Sequence, residues 1–128
     1  MNSLYHRLGG DAAIEAAVEH FYDRVLQDPL LGPIFADVPM ARMRAHQSRF
    51  LAAACGGPNI YEGRDLGRAH AGLIVRFGLG DAHFDAVQGH LQAALASLGV
   101  PVDLRTEVQQ KVETLRPLVL GREVALSA

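Results

Sequence analysis

Along most of the chain, apolar residues recur every three or four positions, the spacing that lines one face of an α-helix, and nowhere do they alternate with polar ones for long enough to predict a strand. Behind a Gly9-Gly10 turn with Asp11 as the expected N-cap, Ile14, Val18, Phe21 and Val25 form the first such stripe, and Asp28-Pro29 ends it. The connector from Pro29 to Asp37 is broken by proline and glycine yet carries Leu30, Leu31, Ile34 and Phe35, so it is expected to fold as short turns over the core. Pro39 opens a second helix whose face runs Met40, Met43, Gln47, Phe50 and Ala54 before Gly56-Gly57. The polar stretch PNIYEGRD follows, with Asp65 expected to cap a short helix bearing Leu66, His70, Leu73 and Phe77. Asp81 is then expected to cap a helix with Phe84, Val87, Leu91, Ala94 and Leu98, closed by Gly99. Pro101 starts a last one through Leu104, Val108, Val112, Leu115 and Val119, which Pro117 would kink. The predicted fold class is all-α. No composition shift or repeat divides the chain, so residues 1–128 are expected to form one domain.

Composition narrows the function classes. With 49% hydrophobic and 20% charged residues among 128, the chain can bury a true core, and its apolar runs are too short for a membrane span. A net charge of -2 offers no basic excess for nucleic acid or anionic lipid, so neither is an expected partner. The N-terminus lacks the pattern of a secretory signal and the single Cys55 cannot close an internal disulfide; a cytoplasmic location is expected. The remaining histidines and Cys55 lack zinc-site spacing, and Gly78-Leu79-Gly80 follows a helix rather than a strand, against a nucleotide fingerprint.

Candidate chemistry lies where the apolar stripes are interrupted. Gln47 and His70 sit on core-facing stripes of successive helices, and Tyr22 adjoins Phe21 on the first. Buried polar groups need partners. A haem would satisfy all three, since iron takes an imidazole while a bound diatomic gas takes hydrogen-bond donors inside an apolar pocket. Phe21, Phe35, Phe50, Leu73, Phe77, Phe84 and Val87 could wall such a pocket. Spacing alone leaves the alternative open that His70 and Gln47 are core residues satisfied within the protein.

The order of motifs goes further. From Ser3 to Val119, the segments SLYHRLGG, HFYDRVLQDPLLGPIFADV, PMARMRAHQSRFLAAACGGP, YEGRDLGRAH and GDAHFDAVQGHL followed by GVP resemble the group I truncated haemoglobins of the cyanobacterial type. The resemblance implies four main helices packed two over two around haem, with the first globin helix nearly lost and the proximal helix short. It implies His70 as the proximal iron ligand, with Tyr22 and Gln47 as distal residues. Phe21, Phe35, Phe50, Phe84 and Val87 match pocket-lining positions, and Arg42, Arg68 and Tyr61 lie where contact with the propionates is expected. Met43 stands where many members carry glutamine, which leaves fewer donors in the pocket. His46 is a second axial ligand in the members most like this chain; an exposed helix histidine is the alternative. The last helix has no histidine for covalent attachment, so noncovalent haem b is expected.

The implied function is binding of dioxygen, nitric oxide or carbon monoxide. Conversion of nitric oxide and dioxygen to nitrate, with a separate reductase as electron donor, is the enzymatic form of that reading. Electron transfer or redox sensing by a bis-histidine haem is the alternative, and a helical interaction module without cofactor lies outside haem chemistry. A monomer or weak dimer is expected.

Overall fold

A computed structural model describes residues 3–36, 38–57 and 63–122, the side chains of 63–69 excepted. Among them every regular element is helical: α1 (Leu4–Leu8), α2 (Gly10–Val25), α3 (Gly32–Phe35), α4 (Met40–Ala54), α5 (Gly63–Phe77), α6 (Asp81–Ser97), α7 (Val102–Glu113) and α8 (Arg116–Val119). The all-α expectation holds, and no helix is long and apolar enough to cross a membrane.

Helix α2 is the centre of the assembly. Its Ile14, Ala17, Val18, Phe21, Tyr22 and Val25 are buried, the i, i+3, i+4, i+7 stripe that the sequence predicts. It packs on α4 and on α6, α7 lies against α6, and α8 lies against α5. Ala17 and Ala94, 0% and 1% exposed, present only a methyl group to the packed interior. Ile14, Leu51, Leu91, Leu95, Val108 and Val112 fill the space around them; each buried side chain of this size contributes about 1.5–3 kcal/mol of transfer free energy.

Helix boundaries depart from the expected caps in instructive ways. Asp11, Asp65 and Asp81 each fall inside a helix rather than before it, because Gly10, Gly63 and Gly80-Asp81 already begin or abut the helical turn. Asp11 instead accepts a hydrogen bond from the Tyr5 hydroxyl at 2.7 Å, tying α1 to α2. The sequence pattern missed α1 itself, a five-residue helix whose N-terminus is capped by Ser3 Oγ, which accepts from the His6 backbone N–H. Gly9, with φ of 117°, joins α1 to α2 without a loop, a conformation that a Cβ would strain. Helix α5 has 15 residues, longer than the short segment expected, since it starts at Gly63 rather than after Asp65.

Pro117 does more than kink the last helix. It has no N–H to donate to the Glu113 carbonyl, and the helix breaks at Thr114-Leu115 into α7 and α8. Arg116 closes the break from the α8 side. Its guanidinium binds Glu113 at 2.6 Å, Asp81 at 3.1 Å and Asp85, and lies 4.5 Å from the centre of the Phe84 ring.

Candidate functional site

Between α2, α4, α5 and α6 lies an apolar cavity of about 340 Å³, within the usual size of a small-molecule site. The stripe of α2 carries Val18, Phe21 and Tyr22 into it. The α3 turn and its flanks add Leu31, Ile34, Phe35 and Val38; α4 adds Met43, His46, Gln47 and Phe50; α5 adds His70 and Leu73; and α6 adds His83, Phe84, Val87 and Leu91. Leu115, Val119 and Leu120, on either side of the Pro117 break, line it as well. The 3.6-residue repeat explains the polar members. Tyr22 shares the stripe of Val18 and Val25, and Gln47 and His70 occupy core-facing turns of α4 and α5, so a helix that buries its apolar stripe carries them inward too.

Tyr22 is the most constrained of these groups. It is 1% exposed, and its ring meets Phe21 edge-on at 5.0 Å and Phe35 at 5.7 Å. Burial pushes its phenol well above the ordinary tyrosine range, an effect that the nearby Arg44 charge offsets in part, so the group stays an O–H donor. Its ring forms part of the cavity wall. Gln47 and Met43 beside it are half-buried, and His46 is exposed at the cavity's mouth.

His83 was missed by sequence reasoning, which set it aside with the other histidines that lack zinc-site spacing. Its Nδ1 accepts the Gly80 backbone N–H at 3.1 Å, so the neutral ring carries its proton on Nε2, a second donor on the cavity wall. Nothing in the apolar periodicity marks it, because capping depends on a backbone group three residues away. His90, also set aside in sequence, binds Asp28 through Nε2 at 2.6 Å and ties α6 to the turn after α2; that bond holds the Asp28 carboxyl below its usual range.

The structure brings Tyr22, Gln47, His46, Met43 and His70 together with Phe21, Phe35, Phe50, Leu73, Phe84 and Val87 in one cavity. Phe77 does not line it: the ring packs against the core from α5 with the Arg76 guanidinium 5.0 Å from its centre. Arg42 is exposed on α4 and away from the cavity wall, since it lies on the solvent side of the helical repeat. Tyr61 and the side chain of Arg68 lie outside the described residues.

The donor set fits a haem. The imidazoles of His46, His70 and His83, a protonated phenol and an amide, set among aromatic and aliphatic walls, supply a metal ligand and hydrogen-bond donors, and among the described lining residues none is acidic, which disfavours a hard cation.

Comparisons with known proteins agree. Residues 3–120 match the bacterial-like globin family. The group 1 truncated haemoglobin GlbN of a Synechocystis species is 50% identical over 108 residues, 84% of this chain and 87% of that protein. Its namesake from a Nostoc species is 37% identical over 122 residues, 95% of this chain and 100% of the relative. Among solved structures, the 2/2 haemoglobin of a Synechococcus species, in the cyanomet state and with covalently attached haem, superposes with a TM-score of 0.89 at 41% identity, covering 94% of this chain and all, 100%, of that one. The truncated haemoglobin of Tetrahymena pyriformis in its Fe(III) form gives a TM-score of 0.84 at 35% identity over 93% of this chain and 98% of the other. The chain thus belongs to the bacterial-like globins and, within them, to the group 1 truncated haemoglobins, all-α two-over-two globins that bind diatomic gases at haem.

Proposed function

We propose that the cavity holds haem b noncovalently, with His70 as the axial ligand and with Tyr22 and Gln47 as donors to a bound dioxygen, nitric oxide or carbon monoxide. Haem supplies the iron to which such a gas binds and the electron density that makes dioxygen a hydrogen-bond acceptor. The chain does the rest. Phe21, Phe35, Phe50, Phe84 and Val87 keep water away, so a hydrogen bond from Tyr22 Oη–H acts in a low dielectric and is worth more than at the surface. Its raised pKa keeps the proton on the phenol at every physiological pH. Gln47 offers its amide from the next helix, and Met43 adds bulk without a donor.

The observation that supports this reading is the make-up of the cavity wall: a phenol held protonated by burial, an amide and imidazoles lie among aromatic and aliphatic side chains, a set that suits a haem and a gas bound to it. Where nitric oxide meets dioxygen in the pocket, nitrate is the product and one electron per turnover must come from a separate reductase. A cytoplasmic protein, monomeric or weakly dimeric, fits this role. The test is reconstitution with haemin. A stoichiometric complex whose ferrous form binds carbon monoxide supports the reading, and a protein that stays colourless refutes it. Turnover of nitric oxide with a reductase then separates enzyme from carrier.

A further inference from the structure

Arg49 follows His46 by one turn of α4, and its Nη2 lies 3.1 Å from Nδ1 of that histidine. A guanidinium is always protonated and has no acceptor, so Arg49 donates and Nδ1 accepts. A neutral imidazole with Nδ1 bare carries its proton on Nε2. Both ring nitrogens are thereby committed: the lone pair of Nδ1 to Arg49, and Nε2 to a hydrogen. His46 lines the cavity from its mouth, in the same chamber as His70. To give a lone pair from Nε2 to a metal there, the ring must shift its proton to Nδ1, where it would face the Arg49 N–H with two donors opposed.

We propose that Arg49 is a positioning residue that sets the coordination number of the haem. By holding His46 as the Nε2–H tautomer, it leaves one axial face open to gases and makes His46 a hydrogen-bond donor at the cavity mouth instead of a second iron ligand. This role rests on the haem reading above.

The test compares ferric and ferrous spectra of the haem-loaded protein with those of Arg49→Ala, Arg49→Glu, Arg49→Lys and the double variant His46→Ala/Arg49→Glu. The parent is expected to be mainly high-spin. Arg49→Ala raises the ratio of low-spin to high-spin haem roughly three- to tenfold, the size of one solvent-accessible charge-assisted hydrogen bond. Arg49→Glu raises it further, because a carboxylate accepts from Nδ1–H and leaves the Nε2 lone pair toward the cavity. Arg49→Lys, which keeps a donor, stays near the parent, and the double variant returns to high-spin, assigning the new ligand to His46. Nitrogen-15 shifts of the His46 ring in the diamagnetic carbon-monoxide complex report the tautomer directly, with Nε2 protonated in the parent. A parent already low-spin through His46, Arg49 variants that all keep the parent spectrum, or a ring protonated on Nδ1 each overturns the role of Arg49 and leaves the haem reading standing. Failure to take up haemin overturns the haem reading itself, and this role with it.

Discussion

Replacing Tyr22 with phenylalanine removes one oxygen and keeps the ring, so the edge-to-face contacts with Phe21 at 5.0 Å and Phe35 at 5.7 Å survive. Two consequences of opposite sign follow. In the gas-free protein the Tyr22 side chain is 1% exposed, and a phenol taken from water into so apolar a wall gives up hydration worth about 1–3 kcal/mol. Recovering part of that cost should stabilise the Tyr22→Phe protein by about 1 kcal/mol, or roughly 2–5 °C in thermal midpoint for a chain of this size. With gas bound, the same oxygen is the proposed donor, and a hydrogen bond to a group bearing charge is worth roughly 1.5–3 kcal/mol. Dioxygen should therefore dissociate roughly ten- to a hundredfold faster from the variant. Carbon monoxide gathers little negative charge and should leave at nearly its original rate. Calorimetry of the carbon-monoxide-free protein and stopped-flow displacement of each gas measure the two effects. Destabilisation by a kilocalorie or more would mean that the hydroxyl has a protein partner. Equal acceleration for both gases would mean that Tyr22 shapes the pocket without donating into it.

His70→Gly should abolish the proximal-imidazole signature in the optical spectrum, and added free imidazole should restore it; a spectrum unchanged by the substitution would exclude His70 as the axial ligand. Asp81 and Glu113 lie below their ordinary values of 3.8 and 4.5, the first chiefly by accepting from Arg122 and then Arg116, the second from Arg116. Because their folded pKa values are depressed, the stability they confer is complete above about pH 4.5 and is lost as pH falls through and below that value. Arg116→Met should flatten this acid slope in urea midpoints measured from neutral pH downward, and an unchanged slope would sink the assignment. A Cβ at Gly57 would stand 2.8 Å from the Ala52 carbonyl oxygen and 2.9 Å from Tyr5 Cδ1. Gly57→Ala should thus cost about 1–3 kcal/mol in denaturant unfolding through overpacking, and a neutral result would mean that this corner yields.

What the sequence made legible was set by period and position. The α2 stripe from Ile14 to Val25 and the placement of Gln47 and His70 on inward faces follow from the 3.6-residue repeat alone. The one-turn α3 appears where Pro29 to Asp37 predicted turns. Helix ends were harder, because Asp11 binds Tyr5 of the preceding helix and Asp81 binds the distant Arg116/Arg122 pair, in preference to local caps. Partners distant in sequence left no mark at all: His90 and Asp28 are 62 positions apart, and nothing near either one announces the other. Phe77, on the same stripe as His70, packs against the core beside Arg76 and not on the cavity wall, and nothing in its spacing announces that. Family resemblance supplied what periodicity could not, namely why a tyrosine, a glutamine and a histidine should share one chamber.

The walls of that chamber begin at Val18 and finish at Leu120. On a ribosome, where chains grow at roughly 5–20 residues per second, Tyr22 emerges several seconds before the aliphatic residues that close the opposite end. The cavity wall cannot be complete until the piece carrying Leu115 and Val119 has left the exit tunnel. A haem that needs both ends of this wall would find its pocket complete only at the end of synthesis, and its arrival would then act as the final step of folding rather than as a seed for it.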